Sequence, residues 1–154
     1  WNLASEDVLH VPFQWRDLDG FTTPCEQTLE ALRFVRASQA NEQRVFLHCT
    51  VGEDRTGYLA ALYEVLFDGR DAREAFDQAL CERGYASGNP QKPGFVLGKL
   101  DDGLTPLYRS MAFLASEGIL TDQLESAACA AEPDVPDEFL AEALSCGTST
   151  TLVP

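Results

Sequence analysis

The segment that most constrains the fold of this chain is a short apolar run that leads directly into a loop and then into a helix. Residues 44–48 contain three consecutive apolar side chains, a pattern typical of a strand buried on both faces of a parallel sheet. The loop 49–55 comes next, and leucines at helical spacing follow it. Residues 8–13 predict a second short strand. We therefore expect an α/β domain with a central, mainly parallel sheet flanked by helices.

Turn residues and helix caps divide the rest of the chain into further helices. Thr23 before Pro24 predicts the start of one helix, and Asp71 predicts the cap of another. The glycine-rich stretch 84–103 predicts a long loop, and Thr105 before Pro106 predicts that a helix begins there. These helices would cover the two faces of the predicted sheet.

Charge is distributed unevenly along the 154 residues. The 11 basic and 25 acidic residues give a net charge of −14, and residues 110–154 contain eight acidic residues and no basic one. Such acidity argues against general binding to nucleic acid or to an anionic membrane. No apolar run approaches the roughly 20 residues that a membrane-spanning helix needs. We expect one domain over residues 1–121 and an acidic helical extension over residues 122–154.

The five cysteines are an odd number without close pairs, which fits neither a disulfide framework nor a zinc cluster. With two histidines in the chain, no metal site and no cofactor are predicted. Four cysteines are interpreted as small buried apolar residues: Cys25, Cys81, Cys129 and Cys146. Unpaired cysteines favour a cytoplasmic location, with an exported form as the alternative because the chain starts at Trp1 rather than at Met.

The loop after His48 combines a thiol with the parts of an anion site. Backbone N–H groups can surround phosphate oxygens, and the positive end of the following helix attracts the same anion and lowers the pKa of Cys49. Arg55 offers a planar fork for two phosphate oxygens, which a lysine does not. His48 is expected to support the loop. The residues that contribute the amides are Thr50, Val51, Gly52, Glu53 and Asp54.

The sequence His48-Cys49-x5-Arg55-Thr56-Gly57 resembles the signature loop of the cysteine-dependent protein tyrosine phosphatases, in particular the dual-specificity and bacterial tyrosine phosphatase branch. The resemblance implies a strand, phosphate-binding loop and helix at the centre of a catalytic domain. It also implies that Cys49 is the nucleophile, that Arg55 binds the phosphoryl group, and that Thr56 assists the thiolate as leaving group.

The second family element is an aspartate, about thirty residues upstream, that protonates the leaving oxygen. Trp15-Arg16-Asp17 resembles the Trp-Pro-Asp loop of the family, with arginine in place of proline, and Asp17 lies 32 positions before Cys49. Asp19, at 30 positions, is the alternative acid. Because Asp17 is so close to the first residue, the domain is expected to lack some N-terminal strands.

The resemblance implies hydrolysis of a phosphate monoester through a phosphocysteine, with a phosphotyrosine protein as the favoured substrate and dual specificity as a possibility. The alternative is a phosphoinositide or inositol polyphosphate phosphatase, for which extra phosphates would be recognised by Tyr85, Lys92 and Lys99. Glu53 beside Asp54 weakens that alternative by adding negative charge to the loop. A lesser alternative is an inactive phosphate-binding module. The expected partners are a phosphorylated protein or a small phosphomonoester, and no nucleic acid.

Overall fold

The computed structural model describes residues 7–13, 20–139 and 144–146 of the chain. Within these residues the fold consists of helices joined by turns and irregular segments, and they contain no strand and no sheet. The predicted α/β architecture with a central parallel sheet is therefore wrong for the described part of the chain. None of its helices is long and apolar enough to cross a membrane.

The reason for this difference lies in the apolar run before the loop. Residues 43–49 have no regular secondary structure, and they make no ladder hydrogen bonds with another described segment. Their side chains alternate, so that Val45 and Leu47 are half-buried while Phe46 is 85% exposed. A strand needs a neighbour that satisfies its N–H and C=O groups, and residues 8–13, which have no regular secondary structure, do not supply one. The run is therefore not the centre of a sheet within the described residues.

Five α-helices form the body of the described part of the chain. The predicted helix start at Thr23 falls in the first turn of the helix Thr22–Ala40, and the predicted cap at Asp71 is confirmed: its Oδ1 accepts from Arg73 N at 2.8 Å and from Glu74 N at 3.2 Å. The helices are α1 (Thr22–Ala40), α2 (Asp54–Phe67), α3 (Ala72–Ala79), α4 (Gly94–Lys99) and α5 (Thr105–Ser116).

The predicted glycine-rich loop is wrong in its second half. α4 begins at Gly94 and continues through the π-helical turn Leu100–Leu104 into α5, so Thr105 lies inside a continuous helical segment. Leu100 and Leu104 are fully buried there. Burial of these leucines outweighs the modest helix cost of each glycine, about 1 kcal/mol relative to alanine.

The core is centred on α2, which contacts α1, α3 and α5. Four aromatic rings form its middle, and Phe76 lies 5.3 Å from Tyr108 and 5.6 Å from Tyr85 between ring centroids. Each buried phenol has a polar partner: Tyr58 bonds the Thr28 hydroxyl at 3.0 Å, Tyr85 bonds the Thr105 hydroxyl at 2.7 Å, and Tyr108 donates to Ala72 O at 2.7 Å. These bonds offset the cost of burying the hydroxyls.

Two disulfide bonds connect the C-terminal part of the chain to the helical body. Cys129 is bonded to Cys25 of α1, and Cys146 is bonded to Cys81 in the 3-10 turn after α3. The interpretation of these four cysteines as isolated buried residues is therefore wrong. Within residues 122–139, the predicted helical extension contains the 3-10 turn Ser126–Cys129 and is otherwise irregular. It packs on α1, where Arg33 Nε donates to Leu124 O at 3.1 Å.

Candidate active site

The loop from Cys49 to Asp54 links the irregular segment 43–49 to the first turn of α2. Gly52 has a φ of 80°, a left-handed conformation that glycine adopts without steric cost. Gly57 has a different reason to be glycine, because a Cβ there would lie 2.7 Å from the carbonyl oxygen of Ala79. The first turn of α2 therefore lies directly against the end of α3.

Cys49 is the one cysteine of the described residues that is not in a disulfide, and it is partly exposed. Burial raises its pKa, which is the largest single effect, but hydrogen bonds to the sulfur outweigh it. They come from the Thr56 hydroxyl and from the N–H groups of Thr56, Val51 and Gly52, and together they lower the pKa of Cys49 from 9.0 to about 7. A large fraction of the thiol is therefore ionised at neutral pH, which is the form that attacks an electrophile.

The Thr56 hydroxyl is buried and has no hydrogen-bond partner of regular geometry among the described residues. It nevertheless faces Cys49 closely enough to lower the thiol pKa. Because a hydroxyl proton rotates freely, the Thr56 O–H can point at the Cys49 sulfur and donate a hydrogen bond to it, which stabilises the negative charge of the thiolate. The structure thus brings together the predicted nucleophile and the predicted leaving-group partner.

Arg55 lies beside the loop, and its guanidinium contacts both the start of the loop and the segment 8–13. One Nη donates to the Thr50 hydroxyl at 2.9 Å, and the other lies 3.4 Å from the carbonyl oxygen of Phe13. The first contact joins Arg55, just after the loop, to Thr50, near its beginning. The second brings residues 8–13 to the guanidinium.

The carboxylates of Glu53 and Asp54 are directed toward the segment after α3. Glu53 Oε2 lies 3.0 Å from the ammonium of Lys92, and Asp54 Oδ1 forms an ion pair with the same ammonium. Asn89 donates its side-chain amide to Glu53 Oε1 at 3.3 Å. Lys92 was predicted as a recognition residue for extra phosphates, whereas here it is bound to the loop itself. Sequence spacing of 36 to 39 positions gave no signal for these contacts.

His48 is exposed, and its Nδ1 lies 3.2 Å from the carbonyl oxygen of Cys49. Its ring stacks on Phe46 with 5.6 Å between centroids. The predicted acid Asp17 and its alternative Asp19 lie outside the described residues, as do Trp15 and Arg16.

A cavity of about 450 Å³ opens elsewhere, between the end of α2 and α5. Leu66, Ala112 and Phe139 line it, and no residue of the loop 49–55 does. The described residues that line it include no cysteine and no histidine, and Cys49 lies outside it. Within the described residues, no group of three or more histidine, cysteine or acidic side chains is arranged to hold a metal ion.

Comparison with known protein families, with curated proteins and with solved structures finds no match to this chain. The assignment of a function therefore depends on the chemistry of the loop.

Proposed function

We propose that this protein is a cysteine-dependent phosphate monoester hydrolase, most directly a protein tyrosine phosphatase of the dual-specificity type. The observation that carries the proposal is the state of Cys49: three backbone N–H groups and the Thr56 hydroxyl converge on its sulfur, and its pKa is lowered to about 7. The same amides are suited to bind phosphate oxygens, and Arg55 is next to them in the first turn of α2.

The proposed reaction has two steps. First, the Cys49 thiolate forms a bond to phosphorus while the bond from phosphorus to the substrate oxygen breaks, and Asp17 gives its proton to that oxygen. Second, water attacks the phosphocysteine, Asp17 accepts the water proton, and the sulfur–phosphorus bond breaks to release inorganic phosphate. Arg55 and the loop amides stabilise the equatorial oxygens in both steps, while Thr56 stabilises the departing thiolate.

A monoester with a single phosphate is the substrate class that fits the charges of the site. Lys92 is bound to Glu53 and Asp54, and Tyr85 is buried with its hydroxyl on Thr105. Two of the three residues suggested for extra phosphates are therefore engaged inside the protein, and Lys99 is the exposed one. These contacts support a phosphoprotein over a phosphoinositide or an inositol polyphosphate.

The proposal is tested by phosphate release from p-nitrophenyl phosphate, a phosphotyrosine peptide, a phosphoserine peptide and inositol hexakisphosphate. We expect turnover of the aryl phosphate and of the phosphotyrosine peptide, and loss of at least about a thousandfold in Cys49→Ser because the nucleophile is removed. A wild-type protein that binds vanadate without any turnover would identify the inactive binding module instead. Faster hydrolysis of inositol hexakisphosphate than of the peptides would favour the polyphosphate alternative.

The acid is assigned by comparing Asp17→Asn with Asp19→Asn on substrates of different leaving-group pKa. We expect Asp17→Asn to lower the rate about 10²–10⁴-fold for a phenol that needs a proton to depart, and less for p-nitrophenol. The same pattern in Asp19→Asn, with Asp17→Asn near the wild-type rate, would transfer the role to Asp19.

A further inference from the structure

Lys92 is a buried lysine in an otherwise exposed turn. Its side chain is 5% exposed, whereas Gln91 and Pro93 on either side are exposed. A lysine is seldom buried to this extent unless it is paired. Here the partners are two consecutive carboxylates of the candidate phosphate-binding loop, Glu53 and Asp54, whose side chains are 26% and 12% exposed.

The turn that carries Lys92 is itself fixed by local hydrogen bonds. The Lys92 N–H donates to Asn89 O at 3.0 Å, and the Gln91 N–H donates to the Asn89 side-chain oxygen at 3.0 Å. The side-chain amide of Asn89 then donates to Glu53. Gly84 lies against the same carboxylate, since a Cβ at this position would be 3.3 Å from Glu53 Cδ. Glu53 is thus enclosed by residues of one segment, 84–92.

The held carboxylates are directly connected to the amides at the nucleophile. Glu53 follows Gly52, whose N–H is one of the groups that face the Cys49 sulfur, and Asp54 is the first residue of α2. Among the described residues, the charged and titratable groups around the loop are His48, Cys49, Glu53, Asp54 and Arg55 from the loop and α2, and Tyr85 and Lys92 from the segment 84–92. Lys92 is the cation of that segment which pairs with the loop carboxylates.

We propose that Lys92 is a positioning residue of the active site, an inference that rests on the proposed phosphatase function. Its ammonium holds Glu53 and Asp54 toward the segment 84–92, which fixes the direction of the loop amides. It also neutralises negative charge that would otherwise repel both the thiolate and the phosphate dianion. Lys92 therefore acts on substrate through the loop and does not contact the phosphoryl group.

The test measures the ionisation of Cys49 and the turnover in the same set of variants. The rate of Cys49 alkylation by iodoacetamide is recorded against pH, and kcat/KM for p-nitrophenyl phosphate is recorded at pH 7. The variants are Lys92→Met, the conservative Lys92→Arg, and Lys99→Met, which makes the same charge change at an exposed position. Circular dichroism and a denaturation curve establish that each variant is folded.

We expect Lys92→Met to move the midpoint of alkylation upward by about one pH unit. The loop N–H groups would no longer be held toward the thiolate, and the charges of Glu53 and Asp54 nearby would no longer be neutralised by an ammonium. kcat/KM at pH 7 should fall at least about tenfold with this shift. Lys92→Arg should restore most of both quantities, and Lys99→Met should change neither. If Lys92→Met does not fold, Lys92→Gln, which keeps a hydrogen-bond donor without the charge, is measured in the same way.

A folded Lys92→Met or Lys92→Gln variant with the wild-type alkylation profile would overturn the proposal. A profile that shifts equally in Lys99→Met would also overturn it, because the effect would then follow net charge and not position. Alkylation does not require hydrolysis. A wild-type protein that shows no phosphatase activity would therefore remove the proposed function, while a shift in Lys92→Met would still demonstrate positioning of the loop.

Discussion

The ionisation of Cys49 is decided by a competition between burial and directed hydrogen bonds. Burial favours the neutral thiol, while the Thr56 hydroxyl and the loop amides favour the thiolate, and the second group of effects is larger in sum. The positive end of α2 adds to the same preference. Because the hydroxyl is the leading stabilising contact, the pH dependence of the reaction should be sensitive to residue 56.

Thr56→Val tests this contact. The valine keeps the shape of the side chain and removes the hydroxyl, so we expect the pKa of Cys49 to rise from about 7 toward its ordinary value of 9.0. A hydrogen bond to a charged group contributes roughly 1.5–3 kcal/mol, so the shift should be about one pH unit or more. Since the thiolate is the reactive form, the rising limb of the rate against pH moves to higher pH. Iodoacetamide alkylation rates between pH 5 and pH 10 measure the pKa of Cys49.

Thr56→Ser is the matched control, because it keeps the hydroxyl and should keep the wild-type midpoint. An unchanged midpoint in Thr56→Val would show that the amides alone set the ionisation of Cys49. In that case the role of Thr56 in the departure of the thiolate would also lose its support.

At the level of elements, the position of the site depends on the close approach of α2 to the end of α3. Gly57 lies at that approach, two residues after Arg55. We expect Gly57→Ala to lower the free energy of unfolding by about 1–3 kcal/mol, because the added Cβ would meet the Ala79 carbonyl oxygen and force the helices apart. Displacement of the first turn of α2 should also lower kcat/KM. Urea denaturation without reductant measures the stability change.

Gly98→Ala provides the comparison within another helix. Gly98 lies in α4, and a Cβ there would have no atom within 4 Å. Alanine is the better helix former by about 1 kcal/mol, so this variant should be neutral or stabilised and should keep its activity. Equal destabilisation of both variants would contradict the close contact at Gly57.

The elements that the sequence predicted correctly are those whose determinants are local. The cap at Asp71 and the region in which α1 and α2 begin follow from residues within a few positions of each helix. The sheet was predicted from an equally local pattern, but pairing needs a second strand, and no described segment supplies it. The helix through Gly94 was missed because glycine is read as a turn signal, while the burial of Leu100 and Leu104 in the same helical segment favours the helix.

In the candidate site too, contacts between residues close in sequence were predicted and contacts between distant residues were not. Cys49, Arg55 and Thr56 are close in sequence, so their spacing alone predicted that they would meet. The ion pairs of Lys92 were not predicted, because its partners lie 38 and 39 positions away and the sequence does not show which carboxylates an ammonium will reach. The cysteine pairs are 104 and 65 positions apart, and no spacing rule indicates them.

For the whole molecule, the two disulfides predict a definite count of thiols. The denatured but unreduced protein should react with one equivalent of a thiol reagent, contributed by Cys49, and Cys49→Ser should react with none. After reduction the wild type should give five. Reduction should also lower the free energy of unfolding, by about 2–5 kcal/mol for each bond. Five thiols without prior reduction would show that the bonds do not form.

The bonds also bear on location. Disulfides persist in oxidising compartments and are rare in the cytosol, so we expect the exported form, which the sequence left as the alternative to a cytoplasmic location. The measurement is a thiol-blocking experiment on protein taken directly from the cells that make it. Blocking of one cysteine supports export, and blocking of all five supports the cytoplasm.

The two bonds overlap along the chain, since Cys81 lies between Cys25 and Cys129 while Cys146 lies beyond both. Every peptide bond from residue 25 to residue 146 is therefore inside at least one covalent ring. A protease that makes a single cut in this stretch, including one in the loop at Cys49, leaves the two pieces joined. The nicked protein would keep its full mass on a non-reducing gel and separate into fragments after reduction.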